Sequence, residues 1–252
     1  MRCLWVRAQG RTEVIRPVTD SPLDSGSCYH TSVHPLQSEL IAILAEARQR
    51  SIPLVVLGAF AVRTYLRAPD QRFTHDVDLL ALPDALDALG ELLTSRGYHV
   101  YRSAPWWRAE RGSGKERVLL DIASGAVVDM ASFESYPLAP TEARQRAEPG
   151  GEPIPVPALE DLLAMKILSH RDKDILDVVA LLRDAGDTIE KDRFRAQIEA
   201  RDLELPLRRG YLEIVASIES GELARLWELR TGAPPPDDLL PDAVSRLHDL
   251  FR

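Results

Sequence analysis

The stretch Arg72-Phe-Thr-His-Asp-Val-Asp-Leu-Leu80 alternates polar and apolar side chains, which predicts a half-buried β-strand. Val77 and Leu79 would face the core, and Asp76 and Asp78 would share the opposite face. Two neighbouring carboxylates repel each other, and a divalent cation that prefers oxygen ligands, such as magnesium, removes that cost. The pattern leaves open a metal site or a pair of solvated aspartates at a sheet edge.

A glycine turn precedes this strand. Pro53-Leu-Val-Val-Leu57 predicts a short apolar strand, and Ala59–Leu66 predicts a helix that starts after Gly58. Because a strand, a glycine turn and a helix start present backbone N–H groups together, they suit an anion such as a triphosphate. A phosphate site followed by a strand with paired carboxylates is a rarer combination than either feature alone.

Asp121 and Asp129 are the two candidates for a third carboxylate on a neighbouring strand. Ser124-Gly125 between two strand-like runs predicts a tight hairpin turn, which would put Asp121 and Asp129 on opposite faces of the sheet. Only one of them could then join Asp76 and Asp78. We choose Asp121, because it ends the longer apolar strand. The alternative is that Asp121 is a carboxylate at the rim of the sheet.

The pattern of the whole chain predicts an α/β (α+β) fold: a mixed sheet with flanking helices, followed by a helical C-terminal region. Residues 1–36 are rich in turn-forming residues and predict an irregular leader. We expect an α/β domain over residues 37–150 and a helical domain over residues 151–252. Many prolines and glycines lie between Pro137 and Pro157, which favours a linker there.

Charge restricts the partners that the chain can have. The net charge of −8 argues against a protein whose whole surface binds nucleic acid. Two basic stretches are still present, one over residues 102–117 that includes Trp106 and Trp107, and one over residues 191–209. If both line one groove, they suit RNA, and otherwise they are ordinary exposed arginines and lysines.

The sequence also predicts a cytoplasmic protein without a membrane span. The longest apolar run, Ile52–Val62, is too short to cross a bilayer. Residues 1–16 lack the continuous apolar core of a secretory signal. Cys3 and Cys28 are the only cysteines, and we expect two free thiols rather than a disulfide.

The chain resembles the nucleotidyltransferase superfamily, and within it the AbiEii-type toxins of type IV toxin–antitoxin systems. The first matching segments are Leu57-Gly-Ala-Phe-Ala-Val-Arg63 and the Asp-x-Asp strand that ends at Leu80. The later ones are Val156–Lys166, a helix with a lysine, and Arg171-Asp-Lys-Asp-Ile-Leu-Asp177. One departure is Ala59, where the family usually has a second glycine or small polar residue.

The resemblance implies a nucleotidyltransferase-like fold and transfer of a nucleoside monophosphate from a nucleoside triphosphate (ATP, GTP or CTP) to an acceptor hydroxyl. It implies Mg²⁺ or Mn²⁺ held by Asp76, Asp78 and Asp121. It also implies a set of residues that bind or act on the nucleotide: Gly58, Ala59, Arg63, Lys166, Lys173, Asp174 and Asp177.

The acceptor that the resemblance implies is a tRNA end or other RNA, with a cognate antitoxin as partner of a bacterial toxin. A small molecule such as an aminoglycoside and a protein side chain are alternatives for the acceptor. A catalytically degenerate binding module is the alternative to an enzyme.

Overall fold

The computed structural model describes residues 35–67, 74–103, 106–114, 117–129, 133–147 and 151–252. The predicted leader, with Cys3 and Cys28, therefore lies almost wholly outside the described residues. The same holds for Arg72 and Phe73 of the predicted Asp-x-Asp strand and for Lys115 of the first basic stretch.

A five-stranded mixed sheet forms the first half of the fold. Its strands run in the order β1-β2-β5-β4-β3; only β2 and β5 are parallel neighbours, and the other pairs are antiparallel. The strands of this sheet are β1 (Leu54–Val56), β2 (Asp76–Ala81), β3 (His99–Ser103), β4 (Trp106–Arg111) and β5 (Val118–Ser124).

Helices flank the sheet and fill the second half of the fold, as predicted. A 3-10 turn at Pro83–Ala85 leads into α3. The helices are α1 (Pro35–Gln49), α2 (Gly58–Arg63), α3 (Leu86–Ser95), α4 (Leu159–Ser169), α5 (Asp172–Ala185), α6 (Lys191–Ala200), α7 (Glu204–Glu219), α8 (Glu222–Thr231) and α9 (Leu239–Leu250). None of the helices in the described ranges is long and apolar enough to span a membrane.

Polar and apolar side chains alternate along β2, and this alternation decides which face of the sheet packs against the hydrophobic core. Val77 and Leu79 are completely buried, and Asp76 and Asp78 on the other face are only partly buried. The buried face belongs to one continuous apolar cluster that also includes Leu89 of α3 and Leu163 of α4. The predicted inside and outside faces of this strand are confirmed.

The predicted hairpin at Ser124-Gly125 is wrong. The strand after the turn, β6 (Ala126–Val128), pairs with β7 (Ser135–Pro137) in a separate two-stranded sheet rather than folding back on β5. Both edges of β5 are already occupied, by β2 on one side and β4 on the other. No edge is left for β6.

The proline- and glycine-rich segment between Pro137 and Pro157 contains regular structure. A 3-10 turn at Pro140–Glu142 precedes an antiparallel pair, β8 (Arg144–Arg146) and β9 (Ile154–Val156). Ile154 and Val156 are buried, and β9 contacts β1 of the main sheet. The segment thus packs on the sheet, while the domain boundary near residue 150 stays a prediction.

Gly210 is required where α7 crosses α4. A Cβ atom at residue 210 would lie 2.1 Å from the backbone oxygen of Ile167, so only glycine allows this approach of two helices. We expect Gly210→Ala to lower the free energy of unfolding by about 2 kcal/mol, because the helices must move apart. Chemical denaturation measures this change. Arg209→Ala, at the exposed neighbouring residue, should change it by less than about 0.5 kcal/mol, and an equal loss in both variants would contradict the packing argument.

Candidate active site

A row of charged side chains crosses three neighbouring strands. Asp78 of β2 is the register partner of Asp121 of β5, and Asp121 is the partner of Arg108 of β4. Since register partners point to the same face, these three side chains lie side by side, with Asp76 two residues away on the same face of β2. The structure therefore places Asp121 with Asp76 and Asp78, and its role as a ligand or base stays a prediction.

Gly58 lies against the carboxylate of Asp78. Its φ is +59°, and a Cβ atom there would lie 1.8 Å from Asp78 Oδ2. The backbone N–H of Leu57 donates a hydrogen bond to the backbone oxygen of Asp78 at 2.8 Å, which holds the turn at this distance. Both the left-handed backbone and the close approach exclude other residues.

The carboxylate of Asp78 is in an environment that disfavours its charge. Desolvation, followed by repulsion from Asp76, raises the pKa of Asp78 above its ordinary value, although Lys166 and Lys173 partly offset the effect. No described side chain donates a hydrogen bond to this carboxylate. Asp76 differs, because the Thr74 hydroxyl donates to its Oδ1 at 2.6 Å.

Asp121 is occupied by Arg108. The guanidinium donates from Nε to Oδ1 at 2.7 Å and from a terminal nitrogen to Oδ2 at 3.0 Å, a bidentate pair. Within the described ranges, no three histidine, cysteine, aspartate or glutamate side chains form a ready metal cluster. Asp76 and Asp78 nevertheless fit magnesium, which is commonly held by one or two carboxylates together with substrate phosphates.

Lys166 of α4 is buried between two aspartates of α5. Its Nζ lies 2.5 Å from Asp174 Oδ1 and 2.9 Å from Asp177 Oδ2. Asp174 also accepts hydrogen bonds from Ser169 and Arg171, and Asp177 lies 3.5 Å from a guanidinium nitrogen of Arg230 in α8. The predicted lysine and its two predicted aspartates thus form one buried ion network.

The pKa shifts in this network favour the charged forms. Burial by itself would raise the pKa of Asp174, but attraction to Lys166 and then to Arg171 outweighs it and lowers the pKa to about 2. Burial would lower the pKa of Lys166, but the charges of Asp177 and Asp174 raise it above its ordinary value. Lys166 and Asp174 therefore stay charged at neutral pH.

A cavity of about 370 Å³ brings most of the predicted residues together. Lys173 is exposed on its wall, and no ion pair of Lys173 is seen among the described residues. Arg63 and Asp177 do not line the cavity; the Arg63 guanidinium lies over the Phe60 ring instead. The predicted residues on the wall are Gly58, Ala59, Asp76, Asp78, Asp121, Lys166, Lys173 and Asp174.

Asp129 also lines this cavity, although the predicted hairpin excluded it. It is buried, and its Oδ1 accepts a hydrogen bond from Ser169 at 3.4 Å. Because β6 leaves the sheet, the rule of opposite faces does not apply to Asp129. Sequence reasoning also missed Thr74, Ser169 and the pairing role of Arg108, for which no sequence pattern was available.

Most of the two basic stretches is neutralised within the protein. In the first stretch, Arg102, Arg111 and Arg117 pair with Asp87, Glu39 and Glu110. In the second stretch, Lys191, Arg193 and Arg201 pair with Asp249, Glu160 and Glu142. Trp106 and Arg108 of the first stretch line the cavity, and no residue of the second stretch does.

A family model described as an uncharacterised nucleotidyltransferase matches residues 32–214, which is most of the chain. The chain belongs to this nucleotidyltransferase family. Its mixed sheet and flanking helices are accordingly the fold of a nucleotidyltransferase, as predicted. None of the curated proteins matches the chain.

Solved structures similar to this nucleotidyltransferase include an antibiotic-resistance factor and a lincosamide antibiotic adenylyltransferase. The solution structure of the antibiotic-resistance factor ANT(2'')-Ia gives a TM-score of 0.47 and 19% identity, over 73% of this chain and 95% of that chain. The lincomycin-bound crystal structure of the lincosamide antibiotic adenylyltransferase LnuA gives 0.42 and 18%, over 57% and 95%. Likenesses of this size say nothing about the substrate of this chain.

Gly58→Ala should disrupt the carboxylate row more than the fold. The new methyl group overlaps Asp78 Oδ2, so we expect binding of Mn²⁺, measured by calorimetry, to weaken about tenfold or more. Gly232→Ala is the matched control, since its φ is +77° but no atom lies within 4 Å of the added Cβ. Gly232→Ala therefore introduces the same left-handed backbone strain as Gly58→Ala, but no steric overlap. Equal Mn²⁺ binding by the two variants would refute the role of the close approach.

Asp78→Asn should stabilise the metal-free protein at pH 7. A raised pKa means that the folded chain binds this proton more tightly than the unfolded chain. The free energy of unfolding therefore falls as pH rises from the ordinary value of 3.8 through the raised pKa. Asparagine removes that loss, and thermal melts should show a higher Tm at pH 7 and little change near pH 3. A lower Tm at pH 7 would contradict the argument.

Asp174→Asn should have the opposite effect. The lowered pKa of Asp174 contributes stability that is present above pH 3.8 and lost as pH falls toward about 2. At pH 7 we expect a loss of about 3 kcal/mol, because Lys166 and Arg171 lose a buried counter-charge. Denaturant titrations at pH 7 and pH 3 measure the difference, which should shrink at the lower pH. A loss that does not depend on pH would count against the charge argument.

Proposed function

We propose that this nucleotidyltransferase is magnesium-dependent and moves a nucleoside monophosphate from a nucleoside triphosphate to an acceptor hydroxyl. The observation that carries the proposal is the position of Asp76, Asp78 and Asp121 on one face of the sheet at the wall of one cavity. Gly58 keeps space free beside them.

In this proposal, Asp76 and Asp78 hold the metal ion. Bound magnesium would offset the charge of the triphosphate and of the carboxylates. The raised pKa of Asp78 is consistent with this role, since a desolvated carboxylate beside a second carboxylate gains from a bound cation. Lys173 on the cavity wall suits the phosphates as a point charge, and Lys166 adds positive charge beside Asp78.

The transfer step needs one proton acceptor. The acceptor oxygen forms a bond to the α-phosphorus of the nucleotide, the bond to the bridging oxygen breaks, and pyrophosphate leaves with that electron pair. The proton of the acceptor hydroxyl goes to the carboxylate of Asp121. Asp129 on the same cavity wall is suited to orient a hydroxyl group of either substrate.

We favour a small molecule with hydroxyl groups, such as an aminoglycoside, as the acceptor. The cavity is of the size that small ligands use. Among the described residues of the two basic stretches on which an RNA acceptor was predicted, only Trp106 and Arg108 line this cavity. A tRNA end, with a toxin role and a cognate antitoxin, is the second candidate, which Trp106 favours because its indole lines the cavity and suits base stacking.

Label transfer tests the proposal. The chain is incubated with Mg²⁺, labelled ATP, GTP or CTP in turn, and either pooled aminoglycosides or total tRNA. We expect transfer to one acceptor class and a loss of about 100-fold or more in Asp78→Asn, because the metal loses a ligand. Asp87→Asn, an exposed carboxylate outside the cavity, should keep full activity. Nucleotide binding without transfer would instead identify a degenerate binding module.

A further inference from the structure

Arg108 pairs with Asp121, the carboxylate that the proposed function assigns as the proton acceptor. Both oxygens of Asp121 accept hydrogen bonds from one guanidinium. The guanidinium takes one lone pair of each oxygen and therefore competes with a metal ion and with an acceptor hydroxyl for this carboxylate. Release of Asp121 by Arg108 would remove this competition before the transfer step.

The release of Arg108 costs little. The Arg108 side chain is 48% exposed and that of Asp121 is 26% exposed. An ion pair exposed to this degree contributes less to stability than a buried pair, since water solvates both partners when they separate. The pair thus holds Asp121 at the cavity wall while allowing the two side chains to separate.

A second partner for Arg108 exists in the same cavity. The guanidinium fork matches phosphate as well as it matches carboxylate, through two parallel hydrogen bonds in each case. Arg108 lines the cavity together with Asp76, Asp78 and Lys173, where the proposed nucleotide brings three phosphates. A triphosphate offers more negative charge than one carboxylate does.

Resting on the proposed function, we propose that Arg108 is a triphosphate-binding residue that masks Asp121 until a nucleotide arrives. Without nucleotide, the guanidinium occupies the carboxylate of Asp121. With nucleotide, it moves to phosphate oxygens and leaves Asp121 open to the metal ion and the acceptor hydroxyl. The same residue thus couples nucleotide binding to the exposure of the base.

The first measurement is binding of Mn²⁺ without nucleotide, by calorimetry. Arg108→Gln should bind Mn²⁺ about threefold to fivefold more tightly than wild type, because Asp121 is unmasked. Arg108→Gln combined with Asp121→Asn should show no such gain over Asp121→Asn alone. A gain of equal size in both backgrounds reflects only the lost positive charge and overturns the masking.

The second measurement uses inorganic triphosphate with Mg²⁺, which carries no base. Arg108→Gln should bind it about tenfold more weakly, since it loses two charge-assisted hydrogen bonds. Arg108→Lys keeps the positive charge but not the two parallel donors, so its affinity for triphosphate should lie between those of wild type and Arg108→Gln. Unchanged binding of triphosphate by Arg108→Gln overturns the transfer of the guanidinium to phosphate.

Arg117 provides the matched control. It directly precedes β5 and pairs with Glu110 of β4, outside the cavity, with side-chain exposures of 49% and 27%. Arg117→Gln should leave both measurements unchanged, and equal thermal melts confirm that all variants fold. If wild type binds neither Mn²⁺ nor triphosphate, the proposed function fails. If wild type binds both and Arg108→Gln changes neither, only the present inference fails.

Discussion

A methyl group on residue 58 would overlap the Asp78 carboxylate, so β2 and the first turn of α2 meet where only glycine fits. The antiparallel pairing of β1 with β2 and the hydrogen bond from Leu57 to Asp78 fix this distance. The parallel pairing of β2 with β5 then brings Asp121 alongside. One close approach thus decides the spacing of the cavity wall, and the rest of the sheet maintains it.

The charges of the molecule fall into two groups with different consequences. Lys166, Asp174 and Asp177 are buried together and satisfy one another, so they hold α4 against α5. Asp76 and Asp78 repel each other at the cavity, and the pKa of Asp78 is raised. The fold tolerates this unfavourable pair because the packed helices and sheet around it are stable without it, which is common at functional sites.

The sequence predicts those features that depend on neighbouring residues, such as which face of a strand is buried. The two faces of β2 follow from the alternation of polar and apolar residues alone and are confirmed. α7 begins at Glu204 and has Pro206 in its first turn, although proline inside a helical pattern usually marks a break. Proline is tolerated in the first turn of a helix, where its missing N–H has no partner to lose.

The pairing of β6 and the partners of the arginines depend on contacts between residues that are distant in the sequence. That β6 leaves the sheet follows from the occupied edges of β5, which no stretch near Ser124 reveals. Likewise, the arginines of residues 102–117 suggested an external anion, but their partners include Glu39, far away in the chain. The sequence shows that these side chains are positively charged, but only the fold shows which of them already pair with carboxylates of the same chain.

Arg230 lies beyond the residues that the family model matches, yet its guanidinium is 3.5 Å from Asp177, which lies within them. Through Asp177 it contributes to the charge balance around Lys166. A substitution of Arg230 can therefore change the electrostatic environment of Lys166, which lines the cavity, without altering any residue of the cavity wall. The C-terminal helices α6 to α9 can thus influence the cavity although none of their residues lines it.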